Sequence, residues 1–208
     1  MLTPLDGGPD PALNSKLAIA IANAKKGQLS KTSIESAIAK GQGKSLSGAP
    51  LENVTIEALL PFGVAAMIEC MTESKARVLQ DIRYIVGKSG GTVTPTAFFF
   101  EKKGKIWFEK QDSVGVDDAL EEAIEAGALD IGEEEGQLVV ETPPAEVTAI
   151  AQLLTERLGL KLEKAEVLYV PKEESMVTLS GEQESQLQNV LDSIEEEPTL
   201  QNIYLNAR

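Results

Sequence analysis

The sequence predicts a multi-domain α+β protein: an N-terminal helical piece, then two α+β (ferredoxin-like) domains, one inserted in the other. Three observations carry that prediction. Residues 105–169 read as strand, helix, strand, strand, helix, strand, an order in which two helices cover one face of a four-stranded antiparallel sheet. A helix at 180–194 and a strand at 200–206 have no partners nearby, so they complete a sheet begun before the insertion. Ahead of both lie two short amphipathic helices and a stretch rich in Gly and Ser.

Residues 1–12, rich in Pro, Gly and Asp, read as a flexible lead-in. Leu17, Ile21 and Ala24 recur at helical spacing over 14–26, and Gly27 stops that helix. The second helix is capped by Ser30, or by Thr32 with Glu35 three residues on; Ile34, Ala37 and Ile38 form its apolar face, and Gly41 ends it. Residues 41–50 read as a flexible linker. Two short helices bury little by themselves, so this piece packs on the rest or on a partner.

Val54–Leu60 and Val64–Met71 read as strands around a Pro61–Gly63 turn. The run Met67–Gly91 is a strand, a turn, an amphipathic helix and a glycine pair that lets a second strand return. Helix 74–88 sets Val78, Leu79, Ile82, Ile85 and Val86 on one face. Strands follow at 97–101 and 105–109, joined by a turn at Lys102-Lys103-Gly104-Lys105. Then come helix 113–126, strands 128–132 and 136–141, helix 145–158 and strand 162–169. Thr142 is the expected cap of helix 145–158, with Pro143-Pro144 at its first positions. Ser180 and Gln183 box the start of helix 180–194. The expected domains are 1–50 (helices and linker), 51–103 with 170–208 (discontinuous α+β), and 104–169 (inserted).

Composition narrows the function. The chain has no histidine and one cysteine, Cys70. That removes the commonest general base, the Ser-His and Cys-His pairs, disulfides within the chain and the usual zinc sites. The reading is a protein that is not an enzyme and takes no cofactor or metal. No stretch approaches the length of a membrane span. Charge is polarised. Residues 1–53 hold six Lys against four acids, and 54–109 hold seven bases against six acids. Residues 110–208 hold six bases against 23 acids. Any nucleic-acid contact therefore belongs to the first half.

Candidate contacts follow from that map. Lys16, Lys25, Lys26, Lys31, Lys40 and Lys44 fall in the helical piece and can lie along phosphates, as a salt-sensitive contact or a helix-turn-helix reader; a solvated lysine face is the plain alternative. Arg77, Tyr84 and Lys88 fall within about 40° of one another on helix 74–88, a basic stripe with a ring that can stack a base. Asp81 lies beside the stripe, and Arg83 of the same helix joins the set. Lys102, Lys103 and Lys105 make a basic hairpin tip, or merely a soluble turn. Glu133–Glu135, Glu173-Glu174 and Glu195–Glu197 read as solvated loops and lack the interleaving of a calcium loop. Cys70 reads as an inert core thiol. Gly41-Gln42-Gly43-Lys44-Ser45 lacks the spacing of a nucleotide loop.

From about Asp10 to Asn206 the chain resembles the YebC family of bacterial regulators and mitochondrial translational activators. The resemblance is densest in Ile68-Glu69-Cys70, Arg77, Ile82-Arg83, Lys88 and Gly90-Gly91. It continues in Ala97-Phe-Phe-Phe100, Phe108-Glu109, Ala123–Ala128, Ser33-Ile34 and Ala37–Gly41. It implies a helical domain followed by two α+β domains with one inserted. The implied activity is translational activation on the mitochondrial ribosome or an mRNA, easing difficult stretches, in the mitochondrial matrix. The alternative it implies is a cytoplasmic, DNA-binding transcriptional regulator; a small-molecule sensor is a third class. The oligomeric state is open, with a monomer as the default. Two departures stand out. The family's opening basic segment, resembling Gly-His-Ser-Lys-Trp, has no counterpart here. Its glycine-rich turn after the first strand is Leu60-Pro61-Phe62-Gly63 in this chain.

Overall fold

The structure is a computed structural model that describes residues 11, 14–45, 48–110 and 114–208. The lead-in expected at 1–12, apart from Pro11, lies outside the described residues, as do 46–47 of the linker, 113 of the fourth helix and the Lys16 side chain. The chain is α+β and divides into two compact units. One takes the described residues up to Thr94 with Leu179–Ile203, the other Pro95–Thr178 with Tyr204–Arg208.

The first unit opens with α1 (Ser15–Lys26), whose N-cap Asn14 accepts the Leu17 N–H at 3.0 Å. In α2 (Lys31–Gly41) the cap is Ser30, which accepts the Ser33 N–H at 3.0 Å. Leu17 and Ile34 are buried, and the Lys40 ammonium donates to the Pro198 carbonyl at 2.8 Å, so the helices dock on the rest of the unit. The described residues on either side of 46–47 in the expected linker are tied together instead. Lys44 bridges Pro50, and the Leu51 N–H reaches the Gly43 carbonyl at 2.8 Å, because local backbone bonds satisfy groups that an open linker would leave to water.

The first sheet has the order β3-β1-β2-β8, from β1 (Glu52–Leu59), β2 (Ala65–Thr72), β3 (Thr92–Val93) and β8 (Leu200–Leu205). The strand at the C-terminus thus joins the hairpin at the start, as the partnerless segment at 200–206 requires. β1 and β2 pair antiparallel from Glu52↔Thr72 to Leu59↔Ala65. On α3 (Lys75–Lys88) the i, i+4 series Val78, Ile82 and Val86 is fully buried. On α6 (Gly181–Glu195) Leu187, Val190 and Ile194 are buried, and α3 touches α6. Each buried Val, Leu or Ile contributes about 1.5–3 kcal/mol.

The second unit is a split βαβ arrangement with sheet order β5-β6-β4-β7. Its strands are β4 (Phe100–Phe108), β5 (Asp130–Glu134), β6 (Gln137–Thr142) and β7 (Leu162–Pro171). Its helices are α4 (Val116–Glu125) and α5 (Val147–Leu158). They close over a core of Ile106, Phe108, Val140, Ala119, Ala123, Ile150 and Leu154.

Two elements differ from the sequence reading. The strands expected at 97–101 and 105–109 are one unbroken β4, preceded by a tight turn at Ala97–Phe99. Gly104 looks like a turn signal, but it is buried mid-strand, where a Cβ would collide with Val147 and Thr142. β4 and β7 each run through the residues at which the sequence reading divides the domains; the units part at Pro95 and Thr178. Helix α5 starts later than expected. Thr142 ends β6, the Glu146 N–H bonds the Pro143 carbonyl in a turn, and Glu146 is the N-cap.

Candidate nucleic-acid interface

Helix α3 presents the candidate side chains because its buried series at 78, 82 and 86 turns the opposite face outward. Its entry is set by Thr72, whose hydroxyl accepts the Ser74 N–H at 3.0 Å. Arg77, Arg83, Tyr84 and Lys88 are all exposed, and Tyr84 retains 70% of its accessible surface. Arg77 Nε lies 4.0 Å from Asp81 Oδ2, an exposed pair that neutralises that end of the stripe only weakly. Arg83 and Lys88 have no acidic partner among the described residues.

In the helical piece the lysines separate into engaged and free. Lys25 and Lys26 close α1 at the negative end of its dipole and are exposed without an acidic partner among the described residues. Lys44 is exposed where it bridges Pro50. Lys31 pairs loosely with Glu35 at 3.7 Å, and Lys40 is engaged with Pro198. An open apolar groove lies along α1 and α2, lined by Ala18, Ile21, Leu29 and Ile34 with Lys25 and Lys31.

Lys102, Lys103 and Lys105 do not form a hairpin tip. They lie within β4, where alternation sends Gly104, Ile106 and Phe108 toward the helices and Lys103, Lys105 and Trp107 to the other sheet face. Lys103 Nζ meets Glu141 Oε2 at 2.8 Å, and that bond raises the Lys103 pKa above its ordinary value. Lys105 Nζ meets Glu134 Oε1 at 2.5 Å, and Trp107 Nε1–H donates to the same carboxylate at 3.3 Å. Hydrogen bonding by Lys105 first, and by Trp107 behind it, holds the Glu134 carboxyl below the usual glutamate range. Lys105 and Lys164 lie over the Trp107 ring at 5.4 and 5.0 Å, and Lys102 lies 4.8 Å from the Tyr169 ring centroid. Glu134, read as part of a solvated loop, is therefore a cross-strand partner. The alternation of Lys103, Lys105 and Trp107 signals the strand but not the acid that it meets, which lies 29 residues on from Lys105.

Phe62 is the residue that spacing does not single out. It stands between Pro61 and Gly63 in the β1–β2 turn, in the left-handed region at φ +66° and ψ +14°, and is exposed. Cys70 is buried, and burial pushes its thiol pKa up, with a Thr199 hydrogen bond opposing. Among the described residues no cluster of three or more acids or cysteines is placed to hold a metal ion, and no helix is long and apolar enough to cross a membrane.

Comparison with known proteins covers both units. Residues 4–44 match the TACO1/YebC protein N-terminal domain, and residues 51–207 match the TACO1/YebC second and third domain. The chain is 36% identical over 205 residues to a protein of Caldanaerobacter subterraneus subsp. tengcongensis named "Probable transcriptional regulatory protein", covering 97% of this chain and 83% of that one. A protein of the same description from Acidithiobacillus ferrooxidans is 38% identical, covering 96% and 79%. The crystal structure of a conserved hypothetical protein, Aq1575, from Aquifex aeolicus aligns with a TM-score of 0.66 and 32% identity, over 97% of this chain and 83% of that one.

Proposed function

We propose, since this chain belongs to the TACO1/YebC family, that it regulates gene expression by binding nucleic acid and performs no catalysis. The observation that carries the reading is the set of exposed cations without acidic partners among the described residues. Lys25, Lys26, Lys44, Arg83 and Lys88 of that set sit in the first unit, against Lys102, Lys110 and Arg208 in the second, where the acids concentrate beyond residue 110. Such a polarised molecule meets phosphate with one end and keeps the other away. Lys103 and Lys105, whose charges are met by Glu141 and Glu134, serve the second sheet instead.

The names of the bacterial relatives favour transcriptional regulation; on that reading we take duplex DNA as the partner and a cytoplasm as the setting. Those names lend no support to the mitochondrial setting. A second reading, translational activation through RNA, has an observation of its own: the exposed Tyr84 between Arg77 and Lys88 suits stacking on unpaired bases better than reading a duplex groove. The test is direct binding of the chain to duplex DNA and to single-stranded RNA, each titrated with salt. Binding through three to five lysine or arginine contacts gives a log–log slope of roughly −2 to −5. A flat salt response on both ligands would remove the phosphate-binding reading altogether.

A further inference from the structure

We infer that the Pro61-Phe62-Gly63 turn is a stacking platform for one unpaired base of a single-stranded nucleic acid, whose phosphates lie along Arg83 and Lys88. This rests on the nucleic-acid reading above and adds to it a residue and a strandedness.

Phe62 is held at φ +66°, a conformation that L residues rarely adopt and that glycine takes freely, and Gly63 follows at φ +78°. Pro61 fixes the backbone ahead of it. Leu60 N–H bonds the Val64 carbonyl at 2.7 Å, closing the turn. A bulky aromatic at a left-handed position costs stability, and Phe62 nonetheless keeps 38% of its surface open to solvent. Sites that keep such strain are where function concentrates.

Topology then places the cations. β2 runs from Ala65, beside the turn, to Thr72, and α3 runs back, so the C-terminal end of α3 returns to the turn. The return is tight. Thr92 pairs with Leu59, and a Cβ on Gly91 would lie 2.6 Å from the Leu59 carbonyl oxygen and 3.2 Å from Leu60 Cα. Lys88 is three residues before Gly91, and Tyr84 is about 6 Å further back along the helix. Lys88 thus stands at the end of α3 that returns to the turn of Phe62, with Tyr84 and Arg83 about one to one and a half helical turns behind it, all three exposed. Asp81, the acid on the same helix face, is at the far side of Tyr84 and pairs with Arg77.

Aromatic faces beside unpaired cations are the means by which proteins hold single strands. A base inside a duplex is already stacked and offers no face to Phe62. RNA and single-stranded DNA share that chemistry, and the experiment separates them.

The test uses the full chain and fluorescein-labelled RNA and DNA of the same mixed sequence, about 15 nucleotides long. Anisotropy is followed across a salt series for the wild type, F62G and F62W. F62G suits the left-handed backbone, so its melting temperature is not expected to fall. Its affinity is expected to drop by about tenfold with the salt slope unchanged, because stacking and not charge is lost. F62W is expected to keep the affinity and to show fluorescence quenching on binding that the wild type, with Trp107 alone, lacks. A wild type that binds single strands while F62G binds equally well, or F62W shows no quenching, overturns this inference and leaves the nucleic-acid reading standing. A wild type that binds only duplex overturns it as well. Binding to no nucleic acid at low salt overturns both. Equal loss on RNA and DNA means the platform reads the base alone; loss on one only identifies the strand it serves.

Discussion

Glu134 shows how a residue's role depends on what faces it across a sheet. As one of three consecutive glutamates it looks like a solvated turn, yet it accepts hydrogen bonds from Lys105 and Trp107 on β4. Its carboxyl is held below the ordinary range, so the unfolded chain takes up a proton at higher pH than the folded one. The pair's contribution is complete above the unfolded glutamate pKa and is lost as the pH falls through the lower, folded value. In urea unfolding, E134Q is expected to be less stable than the wild type at neutral pH, and the gap is expected to narrow as the pH falls below the ordinary glutamate range. A gap unchanged across that range would mean that the ion pair is not linked to folding. Gly104 teaches the complementary lesson. It reads as a turn glycine, but it is there because Val147 and Thr142 pack where a Cβ would stand. G104A is expected to cost about 1–3 kcal/mol, seen as a lower urea midpoint with the slope unchanged. Neither role was legible from local spacing, because each is decided by a residue about 30 or more positions away.

At the scale of elements, legibility followed periodicity. The 3.6-residue repeat of Val78, Ile82 and Val86 located α3 to within a residue, and the Ser180–Gln183 box located α6. Ser180 Oγ accepts the Gln183 N–H at 3.4 Å while Gln183 accepts the Ser180 N–H at 3.0 Å. S180A is therefore expected to cost about 1 kcal/mol, measurable as a lower melting temperature with unchanged native circular dichroism. Where two signals competed, the local one misled. The run Lys102–Lys105 has turn composition, but the alternation through Ile106 and Phe108 buries one face and carries the strand across it. Pro143-Pro144 suits a first helical turn, yet it forms the turn ahead of α5, and Glu146 is the cap. The Phe62 backbone conformation had no periodic signal at all, since it reflects the closure of the turn.

The whole molecule is an asymmetric distribution of charge on two units. The order of elements already implied one α+β unit inserted in another, because α6 and β8 had no other strands to join. The polarity of charge was equally visible in the chain. Which cations are free was not, because that depends on cross-strand acids and on Pro198 meeting Lys40. The central claim is that the free cations of the first unit bind nucleic acid. The most direct measurement is nucleic-acid affinity against salt for R83E/K88E beside K103Q/K105Q. The account predicts that reversing Arg83 and Lys88 weakens binding at least tenfold and flattens the salt slope, because two phosphate contacts are lost. It predicts that K103Q/K105Q lowers stability but leaves affinity and slope unchanged. Wild-type affinity in R83E/K88E, with the loss appearing in K103Q/K105Q, would contradict it and move the interface to the second sheet.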